Sequence, residues 1–106
     1  MELHTARERT WSTTDHEGIE RSLFRENGMG GRSSVVRLKA GTRFPSHSHL
    51  GTEEVVVLSG EVSIGGVAMS AGDYLFTDAG EEHDVVASSD AVIFVSSTRG
   101  TPPVGD

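Results

Sequence analysis

Apolar side chains in this chain come in short runs rich in Val, Ile and Thr, at residues 34–39, 54–59, 61–64, 74–77, 83–87 and 91–97. Each run has the length of a strand. Each is also closed by residues that favour turns, at Ala40-Gly41, Gly60, Gly65-Gly66, Ala71-Gly72, Ala79-Gly80 and Ser88 to Asp90. After Gly30 no stretch of ten or more residues keeps a helical period of about 3.6, so helices are expected to be marginal. Residues 18–25 alternate well enough for an early strand, and residues 27–32, with three glycines, read as a flexible loop or hairpin tip. Residues 1–9 have weak helical character. Segments 1–10 and 101–106 are expected to be flexible, the tail unless it docks. The pattern predicts an all-β domain, a sandwich or barrel of many short antiparallel strands.

Composition narrows the picture. A chain of 106 residues is one domain with a modest core, and with no cysteine it has neither disulfides nor thiolate ligands. Any bound metal must therefore be held by His, Asp or Glu. Gly, at 13 residues, is about twice its usual share, yet the glycines fall between apolar runs and punctuate strands. A net charge of -7 with a single Lys argues against a nucleic-acid footprint. The longest purely apolar run, Val55 to Leu58, is far short of the roughly 20 residues of a membrane span. Residues 1–9 hold no apolar signal core, so a soluble cytoplasmic protein is expected.

Chemistry concentrates on three of the five histidines. His47 and His49 lie two apart on an expected strand, so both rings leave the same face with Cβ atoms roughly 6 to 7 Å apart, close enough to share one ion. In a straight strand Glu53 would be carried about 13 Å along the axis from His49, out of reach. The segment Leu50-Gly51-Thr52 must therefore bend, and Gly51 is expected to supply the bend through a positive φ. His83 comes from a separate strand after the turn at Asp78-Ala79-Gly80. Three neutral imidazoles and one carboxylate suit Fe(II), Mn(II), Ni(II), Cu(II) or Zn(II), and not Ca(II), which takes oxygens.

These residues carry a family resemblance. Gly41, five residues, His47, Ser48, His49, three residues, Glu53, six residues and Gly60 reproduce the first cupin motif, G-x5-H-x-H-x3-4-E-x6-G, at every position. The second motif, G-x5-P-x-G-x2-H-x3-N, maps onto Gly72, Asp78, Ala79, Gly80, His83 and Ala87, with Asp78 in place of proline and Ala87 in place of asparagine. Neither departure falls on a ligand of the family pattern. The motifs span residues 41–60 and 72–87, and the chain is identified as a single cupin domain. It resembles in particular the cupin domain of ChrR-type anti-sigma factors and the small diketone dioxygenases. The resemblance implies a jelly-roll barrel, or double-stranded β-helix. It also implies one divalent transition metal ion (Fe, Zn, Mn or Ni) on His47, His49, Glu53 and His83, and a small-molecule substrate or ligand.

Strand parity sorts the neighbours. Val55 and Val57 share the parity of Glu53 and should line the barrel, while Glu54 faces away. Val56 and Leu58 are apolar on that outer face, which predicts a cover from the N-terminal segment or from a second subunit, and a homodimer is expected. Phe44, Tyr74, Phe76 and Phe94 are candidates for core packing or for the barrel mouth. Arg37 and Arg43 flank the motif and are candidates for gripping an anion, against a plain solubilising role. His4, His16 and Asp84 read as solvated. Two functional classes follow: an Fe(II)-type dioxygenase acting on a small oxygenated carbon compound, or a non-catalytic zinc cupin that binds or senses a small molecule. A cupin-type isomerase or cyclase is a third, weaker class. No helical anti-sigma segment is legible, so a sigma-factor partner is not expected.

Overall fold

A computed structural model describes residues 1–105. The described residues form ten strands: β1 Ser12–Thr13, β2 Ile19–Glu26, β3 Arg32–Leu38, β4 Arg43–Ser48, β5 Glu53–Ser59, β6 Glu61–Ile64, β7 Val67–Ser70, β8 Tyr74–Thr77, β9 Glu82–Ala87 and β10 Ala91–Ser97. The only helical feature among the described residues is one 3-10 turn, Ala6–Glu8. All pairings are antiparallel. The strands lie in two sheets, one of order β1-β2-β3-β10-β5-β8 and one of order β4-β9-β6-β7. This is the all-β architecture that the alternation of short runs and glycine turns implies, in the jelly-roll form that the family resemblance implies.

The core lies between the sheets. Val36, Leu38, Val55, Val57 and Ile93 point inward from the larger sheet, and Val62, Ile64, Met69, Val85 and Ala87 from the smaller one. Val55 and Val57 are fully buried, as their parity with Glu53 requires, while Glu54 is exposed and accepts a hydrogen bond from the Tyr74 hydroxyl at 2.7 Å. The tight joint between β5 and β6 depends on Gly60. Its φ is +77°, and a Cβ there would strike the Asp90 carbonyl oxygen and lie 2.8 Å from Ala91 Cα.

The N-terminal segment covers part of the larger sheet's outer face. Phe24 stacks on Phe94 with ring centroids 6.4 Å apart, the Arg9 guanidinium lies over Phe24, and Arg37 lies 4.2 Å from the Trp11 ring centroid. The cover stops short of β5 and β8, where Leu58, Tyr74 and Phe76 remain about half exposed. Phe94, Tyr74 and Phe76 are thus on the outside and do not narrow the barrel mouth; of the four candidate aromatics only Phe44 faces the interior cavity. The C-terminal tail docks beside β4. Ser48 and Leu50 donate their amide protons to the Pro102 and Gly100 carbonyls, and Val104 donates to Ser46. Asp106, the last residue of the segment expected to be flexible, lies outside the described residues. No helix among those described is long and apolar enough to cross a membrane.

Candidate metal centre

β4 and β9 run side by side with a register shift between Phe44 and His47, after which His47 stands directly opposite His83. His49 follows the end of β4. Between Ser48 and Glu53 the chain leaves the smaller sheet for the larger one, so Glu53 opens β5 on the facing wall. This crossing is the bend that the spacing demanded, but Gly51 does not make it by a positive φ. The absence of a side chain is what matters there, because a Cβ would collide with Thr98 Oγ1 and sit 3.1 Å from the Arg99 side chain.

The fold thus gathers His47, His49, Glu53 and His83 into one cluster. All four are buried, and one ligand atom from each lies within 4.8 Å of the others. His49 Nδ1 lies 2.7 Å from the Glu81 carbonyl oxygen, and His47 Nδ1 lies 3.0 Å from that of Pro45. A carbonyl can only accept, so each Nδ1 carries the proton and each Nε2 of the neutral ring presents a lone pair. His49 Nε2 then faces Glu53 Oε1 at 3.2 Å, and His83 Nε2 lies 3.5 Å from the same oxygen with no hydrogen-bond partner among the described residues. The His49 lone pair and the carboxylate repel in this buried pocket unless a proton or a cation stands between them. A divalent metal resolves this conflict, and the donor set is of the kind that holds one.

The electrostatics favour the ligating forms. Burial pushes the Glu53 carboxyl up, but the imidazoles of His83, His49 and His47 together outweigh burial and hold it below the usual carboxylate range. His47 is pushed below the ordinary imidazole value, first by burial and then by the nearby His83 and His49, against the opposing effect of its bond to Pro45. At neutral pH the carboxylate is therefore charged and the His47 ring neutral, as metal ligation requires.

A cavity of about 60 Å³ opens beside His47 and Glu53. Phe44, Val55, Val85, Ile93 and Val95 form its apolar wall, and Arg21, Arg32, Ser34, Ser97 and Thr101 its polar part. Its two arginines are not the ones the sequence suggests. Arg37 pairs with Glu20 and Arg43 with Asp84, each at 2.9 Å on the surface, and neither lines the cavity. Asp84 is accordingly an ion-pair partner as well as a partly exposed residue. Parity contains the missed signal: Arg32 continues the inward series Ser34, Val36, Leu38, and Arg21 shares its side with Ile19. His16 also departs from the solvated reading, since it is half-buried and packs edge-on against Phe44 at 4.8 Å between centroids.

Two antiparallel sheets folded over a buried three-histidine, one-glutamate cluster define a cupin. Within that class, the chain belongs to the ChrR cupin-like domain family, which it matches over residues 1–101. Among curated proteins it is similar to the DNA damage-repair/toleration protein DRT102 of Arabidopsis thaliana, at 36% identity over 70 residues. That match takes in 60% of this chain and 23% of the Arabidopsis protein, so the chain spans about a quarter of the relative's length. Among solved structures it is similar to a candidate acetylacetone dioxygenase from Methylibium petroleiphilum, with TM-score 0.82, 20% identity, and coverage of 92% of this chain and 76% of that one. It is also similar to Rhodobacter sphaeroides ChrR, solved in complex with SigE, with TM-score 0.75, 23% identity, and coverage of 88% and 50%. At these identities the two structures attest the shared fold.

Proposed function

We propose that this domain is a metal-dependent cupin that binds one divalent transition metal ion through His47, His49, Glu53 and His83 and acts as an Fe(II)-type dioxygenase on a small oxygenated carbon compound. The observation that carries this reading is the convergence of the His49 and His83 Nε2 atoms on the Glu53 carboxylate at the edge of a cavity. When bound, a redox-active divalent metal supplies Lewis acidity and one-electron chemistry with dioxygen. The chain's own residues do the rest. The Glu81 and Pro45 carbonyls fix the ring orientation of His49 and His47, so little has to reorganise when the ion enters. Phe44, Val55, Val85, Ile93 and Val95 receive the carbon skeleton of the substrate and exclude water from it. A cavity of about 60 Å³ holds roughly four to six water-sized groups, which restricts the substrate to a compact molecule.

Membership of the ChrR cupin-like family supports a second reading, a zinc-holding module that binds a small ligand without turning it over. The half-exposed Leu58, Tyr74 and Phe76 support a homodimer joined through the outer face of β5 and β8. Metal content and oxygen consumption separate the two functional readings. Protein purified without added metal is analysed for iron, manganese, nickel and zinc, then loaded anaerobically with Fe(II) and given pentane-2,4-dione in an oxygen electrode. Oxygen uptake that requires both iron and diketone is the expected result. Zinc as the only metal, together with no uptake by the iron-loaded protein on any diketone, overturns the dioxygenase reading.

A further inference from the structure

The cavity contains more positive charge than its own chemistry explains. Arg21 from β2 and Arg32 from β3 both line it, among valines, leucine, isoleucine and phenylalanine. Both side chains are half-buried. Among the described residues neither guanidinium has an ion-pair or hydrogen-bond partner, whereas Arg37 and Arg43 each hold a carboxylate at 2.9 Å. In a chain with 16 acidic and nine basic side chains, acids were available to neutralise this pair, yet among the described residues the only one lining the cavity is Glu53, already committed to three histidines. Two like charges brought together and partly withdrawn from water without a counter-ion destabilise the fold. The Arg21 guanidinium is accordingly pushed below its ordinary value, first by burial and then by the charge of Arg32, with only a weaker opposing pull from Glu53.

The sheet register places this charge relative to the metal cluster. Glu53 pairs with Ser97 of β10, and Ser96 pairs with Ser33 of β3, so Arg32 lies in the row of Glu53 and Ser97, about 10 Å away at the backbone. Both arginines line the same cavity as His47 and Glu53, so one small ligand can meet the guanidinium forks and the cluster together.

We propose that Arg21 and Arg32 form a carboxylate-recognition pair, and that the molecule this cavity takes is a small β-oxo carboxylate, its carboxylate held by the arginines and its oxo oxygen turned toward the metal cluster. Planar guanidinium forks match a carboxylate with two parallel charge-assisted hydrogen bonds. An incoming anion also supplies the missing counter-charge, so binding relieves what folding leaves unpaired. The inference rests on the metal-site reading for the orientation of the oxo group, and on the arginines alone for the carboxylate.

The pair acetoacetate and pentane-2,4-dione isolates the point, because the two are close in shape and differ in a carboxylate against an acetyl methyl end. Zinc-loaded protein, which is redox-inert, is titrated calorimetrically with each, with bound metal measured in every sample. Acetoacetate is expected to bind at least tenfold more tightly. Arg21→Gln and Arg32→Gln should each weaken acetoacetate at least tenfold and leave pentane-2,4-dione within twofold. Both variants should melt, metal-free, no lower than the parent, since each removes an uncompensated charge. Equal affinity for the two compounds in the parent, or equal weakening of both in the variants, overturns the proposal. Inorganic phosphate binding as tightly as acetoacetate overturns its assignment to an organic carboxylate. Lost discrimination with full metal content removes the arginine site and leaves the metal reading standing. Protein that takes up no metal yet still prefers the carboxylate does the reverse.

Discussion

Replacement of His49 by alanine tests the metal cluster most directly. In the parent, His49 Nε2 is 3.2 Å from Glu53 Oε1 and its other nitrogen is tied to the Glu81 carbonyl at 2.7 Å. Two effects of His49→Ala must be kept apart. Without metal, the variant leaves the Glu81 carbonyl unpaired, at a cost of about 1–3 kcal/mol, partly offset because a lone pair no longer faces the carboxylate. With metal, the parent gains about 2.7 kcal/mol when free metal is a hundredfold above its dissociation constant. For a domain of this length 1 kcal/mol moves the melting temperature by about 4–8 °C, so the metal-induced rise in the parent should be roughly 10–20 °C. The assay is differential scanning calorimetry of each protein with and without Zn(II) at one fixed concentration, with bound metal measured by mass spectrometry. Comparing the metal-induced shift within each protein cancels the metal-free cost. The parent should show the full rise and one ion per chain, and His49→Ala little rise and substoichiometric metal. A variant that keeps one ion and the full rise would refute the assignment of His49 as a ligand.

Further outcomes follow from other parts of the molecule. The folded His47 is harder to protonate than the unfolded one, so the metal-free protein should lose stability as pH falls below about 6.5, the unfolded value. Glu53, held low in the fold, should add a second loss below about 4.3. Urea midpoints between pH 8 and 3 check both signs, and a midpoint that rises on acidification contradicts them. Bound metal should leave over the same acid range, and retention well below pH 4 would count against a histidine site. Gly60→Ala places a Cβ against the Asp90 carbonyl at φ +77° and should destabilise by about 2 kcal/mol or more; an unchanged urea midpoint would show that the close approach is absent. Truncation after Arg99 removes the hydrogen bonds that the tail makes to Ser46, Ser48 and Leu50. It should lower stability by about 2–4 kcal/mol and weaken metal binding, because His47 and His49 lie between those residues. Unaltered metal affinity in the truncated chain would separate the tail from the site.

Much of this architecture is legible in the sequence where local chemistry and tertiary packing agree. The runs 61–64, 74–77 and 91–97 form strands with those bounds because β-branched and aromatic residues end at turn-formers. β7, Val67–Ser70, escapes because V-A-M-S lacks an enriched run, and it becomes a strand through pairing with β6. The four members of the cluster are legible because ligand spacing is a local property read against strand geometry. The inner arginines are not, because parity says only that Arg32 sides with Val36, and choosing the inner side requires knowing which face of the sheet meets its partner. Gly51 illustrates the same limit. Sequence marks it as needed for the turn, but the need arises from Thr98 and Arg99, some fifty residues away.

The cluster also joins the two sheets: His47 and His83 stand on paired strands of the smaller one, and Glu53 opens a strand of the larger. Hydrophobic burial between sheets can be lost gradually, as water enters from an edge, whereas a coordination bond must break before the sheets part at this end. A bound ion should therefore act on the rate of unfolding more than on the rate of folding, because its ligands assemble only after the sheets have met. Long native lifetime would then be set at one corner of the sandwich, leaving the rest of a small valine-rich core free to be only marginally stable.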